Sequence, residues 1–258
     1  MACIVTNLRF YGLLIYYISF AVILLSACAY ETAKSLKDEP SEIMTTNIQA
    51  TGLELQIIFE KGKTHNHPLM AFWVEDMEGN YVQTLYVVES VAKGFFKHGD
   101  KSSGKWLPGP IRRPASLPYW AHKRNVKETD GLYMPSQQNP VPDAYTGATP
   151  QGNFTLNTKT DKQQLKQFRV LFEINQSWDW NNYWHNNKYP FDNDYKSSSQ
   201  PALVYEVTVD TQNPLPEYEM KLIGHSHWAG KTGELFTDLS SITTAKDIVK
   251  SVKIKVER

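Results

Sequence analysis

Apolar and polar residues alternate along much of the chain after residue 50, with the period of two that is typical of strands with one buried face. Residues 53–59 show the alternation clearly, and β-branched and aromatic residues dominate the other alternating segments. Eight strands are predicted, at residues 53–59, 70–75, 81–88, 154–158, 168–174, 203–209, 219–223 and 252–256. Glu78, Gly79 and Asn80 predict a hairpin turn between the second strand and the third.

Two long stretches, residues 93–151 and 176–200, show no regular pattern and are predicted as loops. Because loops of this length inside a compact domain are usually functional, both are candidates for a site. Many short strands separated by turns predict an all-β fold: an antiparallel β-sandwich, immunoglobulin-like in architecture, with long irregular loops. Residues 51–258 are enough for one such domain, and no composition break predicts a second.

The N-terminus has the pattern of an export signal. Arg9 precedes an apolar run at residues 10–25, and the run ends in Leu-Ser-Ala-Cys, which resembles a bacterial lipobox. Residues 1–27 are therefore predicted to be a lipoprotein signal peptide, with lipid attached to Cys28 as a membrane anchor. The alternative is a single uncleaved transmembrane helix, although the apolar run is short for a span. Residues 28–50 are polar and charged, and predict a flexible tether.

Charge and cysteine content exclude several classes of protein. The chain has 27 Lys and Arg against 27 Asp and Glu, without a basic stripe, so nothing indicates nucleic-acid binding. The only other cysteine, Cys3, lies in the predicted signal peptide, so a mature chain that begins at Cys28 has no pair for a disulfide. No Gly-x-Ser-x-Gly elbow supports a serine hydrolase.

Residues 143–149 read Asp-Ala-Tyr-Thr-Gly-Ala-Thr, at the end of the first long loop. The small residues Gly147 and Ala148 leave an approach open to the hydroxyl of Thr149, and Gly147 can take a positive φ that costs most other residues. A hydroxyl is a weak nucleophile that needs a neighbouring base, which a modifying enzyme would supply. The same residue types are also ordinary turn formers, and a tight loop without chemistry remains the alternative.

Four histidines form two close pairs, His65 with His67 and His225 with His227. Alternate residues of a strand point to one face, so each pair is a weak candidate for binding a metal. The second pair follows a predicted strand, which favours a strand end that hydrogen-bonds to a loop.

Aromatic and basic side chains are abundant in the two long loops. Aromatic residues crowd residues 178–184, and Tyr145 lies inside the 143–149 segment, where it can stack on a flat ligand or simply pack the loop. Arg112, Arg113 and Arg124 belong to a basic cluster upstream that can balance a phosphate or simply face solvent.

The 143–149 segment resembles the acceptor sequence on which ApbE-type flavin transferases build a covalent threonyl-FMN. This resemblance implies that Thr149 carries the FMN through a phosphoester and that Asp143 serves in recognition. It also places Tyr145, Thr146, Gly147 and Ala148 at the cofactor.

Several segments together resemble the periplasmic domain of unknown function twenty-two seventy-one, over most of residues 53–256. The matching segments are residues 68–76, 82–85, 119–120, 143–152, 224–227 and 238–245. The resemblance implies an exported β-sandwich that takes part in extracytoplasmic electron transfer, with a flavin transferase and a PepSY-type membrane redox protein as partners. The long insertion at residues 178–200 and the lipobox depart from the commoner members.

Two hypotheses follow from the sequence. The first is a membrane-anchored extracytoplasmic flavoprotein with FMN on Thr149, a redox carrier or subunit more than a stand-alone catalyst. The second is a cell-surface β-sandwich without a cofactor, which presents its aromatic loops to a glycan or to another protein. The 143–149 segment discriminates between them, because a binding module has no need of it.

Overall fold

The computed structural model describes residues 41–161 and 165–257, and these form a mostly β structure. The strands are β1 (Glu42–Thr45), β2 (Glu54–Lys61), β3 (Leu69–Glu75), β4 (Tyr81–Val88), β5 (Phe95–Asp100), β6 (Leu107–Pro110), β7 (Thr146–Gly147), β8 (Phe154–Lys159), β9 (Gln167–Asn175), β10 (Leu203–Asp210), β11 (Tyr218–Glu219), β12 (Lys221–His225) and β13 (Val249–Glu257). The α-helices in these ranges are α1 (Glu89–Ala92), α2 (Pro118–Arg124) and α3 (Asn193–Lys196). Asp143–Tyr145 and Thr244–Asp247 form 3₁₀ turns.

Most strands belong to two sheets. One sheet has five strands in the order β1-β8-β2-β13-β11, and the other has six in the order β12-β10-β9-β3-β4-β7. Neighbouring strands are antiparallel except at two edges, where β1 runs parallel to β8 and β7 runs parallel to β4. The strands β5 and β6 form a separate two-stranded ribbon.

A cluster of phenylalanines joins the two sheets. Phe59 stacks on Phe154 within the five-stranded sheet at 4.7 Å between ring centroids, and Phe72 stacks on Phe172 within the six-stranded sheet at 4.2 Å. Edge contacts at 6.0 Å (Phe59 with Phe172) and 6.4 Å (Phe72 with Phe154) connect one pair to the other. All four side chains are fully buried, so the two sheets face each other across a single core.

All eight predicted strands are present, and Gly79 occupies the predicted hairpin turn with φ of +84°. The segment predicted as one strand at residues 219–223 is part of two strands, because β11 pairs with β13 in one sheet and β12 pairs with β10 in the other. The chain thus crosses between the sheets at Met220, whose side chain is buried.

The structure differs from the prediction at the tether and in the first long loop. Residues 28–50 were predicted as a flexible tether, whereas β1 already belongs to the five-stranded sheet. Of the predicted tether, residues 28–40 lie outside the described residues. The stretch 93–151, predicted as irregular, contains β5, β6, α2 and β7. These elements are short, so they leave little periodic pattern in the sequence.

The first long loop covers the outer face of the six-stranded sheet. All seven residues of β3 are buried, which requires cover on both faces of the strand. Helix α2 supplies part of this cover, since Trp120 is fully buried and donates from Nε1 to the Thr84 hydroxyl at 3.0 Å. Tyr119 packs beside Trp73 at 5.9 Å between ring centroids.

A buried carboxyl group anchors helix α2 to β9. Glu173 accepts hydrogen bonds from the backbone N–H groups of Trp120 (2.8 Å) and Tyr119 (3.2 Å). Burial raises the pKa of Glu173 to about 8, although the two N–H donors favour the ionised form and oppose the shift. The Glu173 side chain is therefore mainly protonated at neutral pH.

We predict that Glu173 makes the stability of the protein fall as pH rises. Its pKa is higher in the folded chain than in the unfolded chain, so its contribution is complete below about pH 4.5 and is lost as pH rises through about 8. The variant Glu173→Gln has no such titration. Urea unfolding at pH 5 and pH 8.5 should show a decline of a few kcal/mol for the wild type relative to the variant. An equal pH dependence in both proteins would contradict this assignment.

Candidate functional site

The segment 143–149, called the acceptor loop below, lies at the edge of the six-stranded sheet. Its first part forms a 3₁₀ turn at Asp143–Tyr145, and its second part forms β7, which pairs with Val87 and Val88 of β4. The segment is therefore held by backbone hydrogen bonds at an edge where another protein can reach it.

Residues just after β1 hold the acceptor loop through hydrogen bonds. The backbone N–H of Asn47 donates to the carbonyl of Ala144 at 2.7 Å, and the Asn47 side chain donates to Asp161 at 2.8 Å. The preceding Thr46 donates to the carbonyl of Leu85 at 2.8 Å. Asn47 has φ of +50°, a conformation that asparagine adopts more readily than most residues. Residues just after β1 thus connect the two sheets where the acceptor loop lies.

The side chain of Tyr86 contacts the acceptor loop at Gly147 and Ala148. Its hydroxyl donates to the carbonyl of Ala148 at 2.6 Å, and burial raises the pKa of Tyr86, so the hydroxyl stays protonated. A Cβ atom added to Gly147 would lie 2.9 Å from a ring carbon of Tyr86. Sequence reasoning assigned to Gly147 the freedom to take a positive φ, but Gly147 is not among the glycines with positive φ. The structure instead requires glycine there because the ring is so close.

Thr149 comes directly after Ala148, whose carbonyl is bonded to Tyr86. Its side chain is partly exposed, and Oγ1 makes no hydrogen bond within residues 41–161 and 165–257. The Thr149 carbonyl accepts from the side chain of Gln151 at 2.8 Å, which helps to fix the backbone. The neighbouring Ala148 is exposed, and space is open around Gly152. The fold thus presents a free hydroxyl on a fixed backbone.

Charged and polar groups surround the beginning of the loop. The side chain of Asp143 is 84% exposed and forms an ion pair with Lys93 at 3.2 Å. Lys93 also binds Glu89 at 2.7 Å, and Glu89 and then Asp143 raise the pKa of the ammonium group. Lys93 thus remains a cation beside the loop. Thr146 bonds back to the Asp143 carbonyl at 3.3 Å, which closes the turn.

Tyr145 is held by its hydroxyl, which donates to Asp161 at 2.9 Å. Burial, followed by the nearby Asp161 carboxylate, raises the pKa of Tyr145 to about 12. The phenol therefore stays neutral, and its partly exposed ring is a candidate surface for a flat ligand.

The structure gathers loops that are distant in sequence at one end of the sheets. The pairs Phe59 with Phe154, Lys61 with Val249, Leu69 with Asn175, Val88 with Gly147 and Leu203 with His225 all mark strand ends on this side. The acceptor loop therefore shares its end of the domain with the second long loop, residues 176–200. The second loop adjoins the connection between β2 and β3, where Gln176 bonds to Thr64 and Asn66.

The predicted basic cluster is engaged elsewhere. Arg112 pairs with Asp130, Arg113 lies over the Phe96 ring at 4.3 Å, and Arg124 lies over the Trp120 ring at 4.9 Å. Sequence reasoning overlooked Lys93, Tyr86, Asn47 and Asp161, which contact the acceptor loop from distant segments. No local motif marks these four residues, since only the strand pairing brings them together.

The two histidines of the first pair have different surroundings: His65 packs against the core and His67 is exposed to solvent. His65 packs beside Phe59 at 5.6 Å between ring centroids, and its ring nitrogens are buried without a hydrogen bond in the described chain. Burial lowers the pKa of His65, while the nearby carbonyls of Pro150 and Ile248 oppose the shift. His67 is exposed and bonds to Asn66 at 2.8 Å.

The second histidine pair belongs to an aromatic cluster. His225, the last residue of β12, stacks on Phe236 and donates to the carbonyl of Ser226, while His227 stacks on Trp228 and accepts from the N–H of Ala229. Burial lowers the pKa of both rings. Within the described ranges, no group of three His, Cys, Asp or Glu side chains is arranged to hold a metal ion.

The predicted signal peptide and Cys28 lie outside the described residues. In the part of the chain that the structure does describe, no helix has the length and apolar character needed to cross a membrane. Comparisons with protein-family models, with curated proteins and with solved structures found no match.

We predict that Gly147→Ala destabilises the protein by about 1–3 kcal/mol, because the added methyl group must displace the buried ring of Tyr86 or shift β7. The matched control is Gly152→Ala, where a Cβ atom meets nothing within 4 Å. Urea unfolding of both variants checks the prediction. Equal stability of the two variants would show that the ring does not restrict this position.

Proposed function

We propose that the protein is a membrane-anchored extracytoplasmic flavoprotein that carries FMN covalently on Thr149 and acts in electron transfer. The observation that supports this best is the geometry of the acceptor loop, in which the motif residues lie on a fixed edge and the Thr149 hydroxyl makes no hydrogen bond in the described chain. We also propose that the two facing sheets form an immunoglobulin-like sandwich.

The residues present fit an attached FMN. Thr149 would hold the phosphate as an ester, Lys93 supplies a cation beside the loop, and Tyr145 supplies a partly exposed aromatic ring. When bound, the flavin would supply reversible electron uptake and release. No substrate-specific base is needed for this role, so a redox carrier or subunit fits the site better than a stand-alone catalyst.

Attachment would be carried out by an ApbE-type flavin transferase. The Thr149 oxygen would form a bond to the FMN phosphorus of FAD as the pyrophosphate bond to AMP breaks, and the threonine proton would pass to a base of the transferase. Asp143, with its exposed carboxylate, would be a recognition contact. The small residues Gly147 and Ala148 leave the approach to Thr149 open.

The position of the acceptor loop also suits a membrane partner. The described chain enters its sheet at Glu42, whose N–H donates to the carbonyl of Asn153 at 2.9 Å, four residues after Thr149. A lipid on Cys28 would therefore be linked to the end of the domain that carries Thr149. A PepSY-type membrane redox protein would be a suitable electron-transfer partner at this end.

We predict that co-expression with an ApbE-type flavin transferase adds the mass of one FMN to the protein and makes its gel band fluorescent under ultraviolet light. Thr149→Ala should remove both signals, because the ester oxygen is lost. Thr232→Ala, which removes an exposed threonine elsewhere, should retain both. Intact mass spectrometry and in-gel fluorescence are the measurements. Absence of the added mass from wild type, or its survival in Thr149→Ala, would overturn the proposal.

We predict that Cys28→Ala moves the protein from the membrane fraction to the soluble fraction, because the lipid attachment site is lost. Fractionation followed by immunoblotting is the measurement, with Cys3→Ala as the control that should stay in the membrane. Retention of Cys28→Ala in the membrane would favour the uncleaved transmembrane helix instead.

A further inference from the structure

The second long loop, residues 176–200, carries large aromatic side chains on the surface. Trp178, Trp180 and Tyr183 each expose about half of their area, at 51%, 51% and 52%. Three exposed aromatic residues within six positions are unusual for a surface without a partner, since such side chains are normally buried.

Hydrogen bonds hold this loop in a defined conformation. The N–H of Trp178 donates to the carbonyl of Ser198 at 2.6 Å, and its indole Nε1 donates to the carbonyl of Lys196 at 3.1 Å. Trp178 has φ of +64°, which is strained for a bulky residue. The surrounding contacts therefore hold the backbone of Trp178 in an unfavourable conformation while its indole stays half exposed.

A cavity of about 520 Å³ lies at Tyr183, the last of these three residues. It is lined by Asn181, Asn182, Tyr183, Ser240, Ser241, Thr243 and Thr244. Its size falls within the usual range for small-molecule sites. We call it the Tyr183 cavity.

Hydrogen bonds between residues 179–184 and residues 241–244 hold the walls of the Tyr183 cavity in place. The side chain of Asn181 donates to the carbonyl of Ser241 at 3.3 Å, and Trp184 donates from Nε1 to the Ser241 hydroxyl at 3.1 Å. Thr244 donates to the carboxylate of Asp179 at 2.8 Å. Tyr183 contacts Trp184 edge to face at 5.0 Å, and Lys188 lies 3.2 Å from the Tyr183 ring centroid.

The lining has a consistent chemistry. It combines one aromatic ring with amide and hydroxyl groups, and it includes no charged side chain. Amides and hydroxyls both donate and accept hydrogen bonds, so they match a ligand with many hydroxyl groups. An aromatic face suits the C–H face of a sugar ring, and the cation that contacts this ring, Lys188, is not among the lining residues.

We propose that the Tyr183 cavity binds a neutral oligosaccharide. The sugar ring would stack on the face of Tyr183 that Lys188 leaves free, and the side chains of Asn182, Ser240 and Thr243 would contact its hydroxyls. Protein interfaces also use exposed aromatic residues, but they commonly add arginine, which this lining lacks. The site is independent of the flavin proposal, because the lining contains no residue of the acceptor loop.

The test uses the full-length chain, purified in detergent, on an array of neutral and acidic oligosaccharides. The best neutral binder is then measured by isothermal titration calorimetry with the wild type and three variants. Tyr183→Ala should weaken binding at least tenfold, whereas Tyr183→Phe, which keeps the ring, should bind within about threefold of the wild type. Trp106→Ala removes an aromatic side chain that is 57% exposed in the β5–β6 ribbon, and it should leave binding unchanged.

Several outcomes would overturn the proposal. Failure of every neutral oligosaccharide to bind at millimolar concentration would do so, and so would selective binding of acidic ones. Unchanged affinity in Tyr183→Ala would exclude this cavity. Circular dichroism and unfolding of Tyr183→Ala serve as folding controls, and if that variant misfolds, Ser240→Trp, which fills the cavity from its rim, must abolish binding for the proposal to stand.

Discussion

The burial of β3 on both of its faces is the constraint on which the rest of the molecule depends. One face of β3 packs into the phenylalanine core between the sheets, and the other would expose apolar side chains such as Trp73 to water. The chain meets this requirement with the long segment between β4 and β8, which lays helix α2 over the outer face. After α2 the same segment continues to the sheet edge, where it forms β7. The acceptor loop is thus the end of a covering layer.

Buried carboxyl groups help to attach the covering segment to the sheet. The covered face contains two fully buried carboxyl groups, and they are accommodated in different ways. Glu75 meets Lys123 at 3.3 Å and Arg169 at 3.1 Å, so its charge is balanced by cations. Glu173 has only backbone N–H donors and a hydroxyl group near it, and its pKa rises to about 8 because burial outweighs them. The attachment of α2 through Glu173 is therefore sensitive to pH, whereas removing either cation beside Glu75 would leave a buried carboxylate without that partner.

The sequence predicted those strands whose pattern of residues lies within a single segment of the chain. All eight predicted strands are present. Buried and partly exposed positions alternate in strands such as β2 and β8, whereas β3 is buried throughout and is marked by its β-branched and aromatic residues. The start of the sheet at β1 was missed, since four residues with one partner strand leave no periodic signal. The reason for glycine at position 147 was also missed. Its neighbour Tyr86 lies 61 residues earlier in the chain, and only the pairing of β7 with β4 brings them together.

The two loops at the Thr149 end of the sheets also differ in whether their features can be recognised within one segment of the sequence. A motif such as residues 143–149 can be recognised in sequence because a modifying enzyme would read a short segment of the chain. The Tyr183 cavity has no such motif, because its wall combines residues 181–183 with residues 240–244, which lie more than fifty positions away. Strand ends place both segments on one side of the domain, where the second loop holds Trp178 at a positive φ. Because the Tyr183 cavity has no lining residue from the acceptor loop, a cofactor at one segment and a sugar at the other would bind independently.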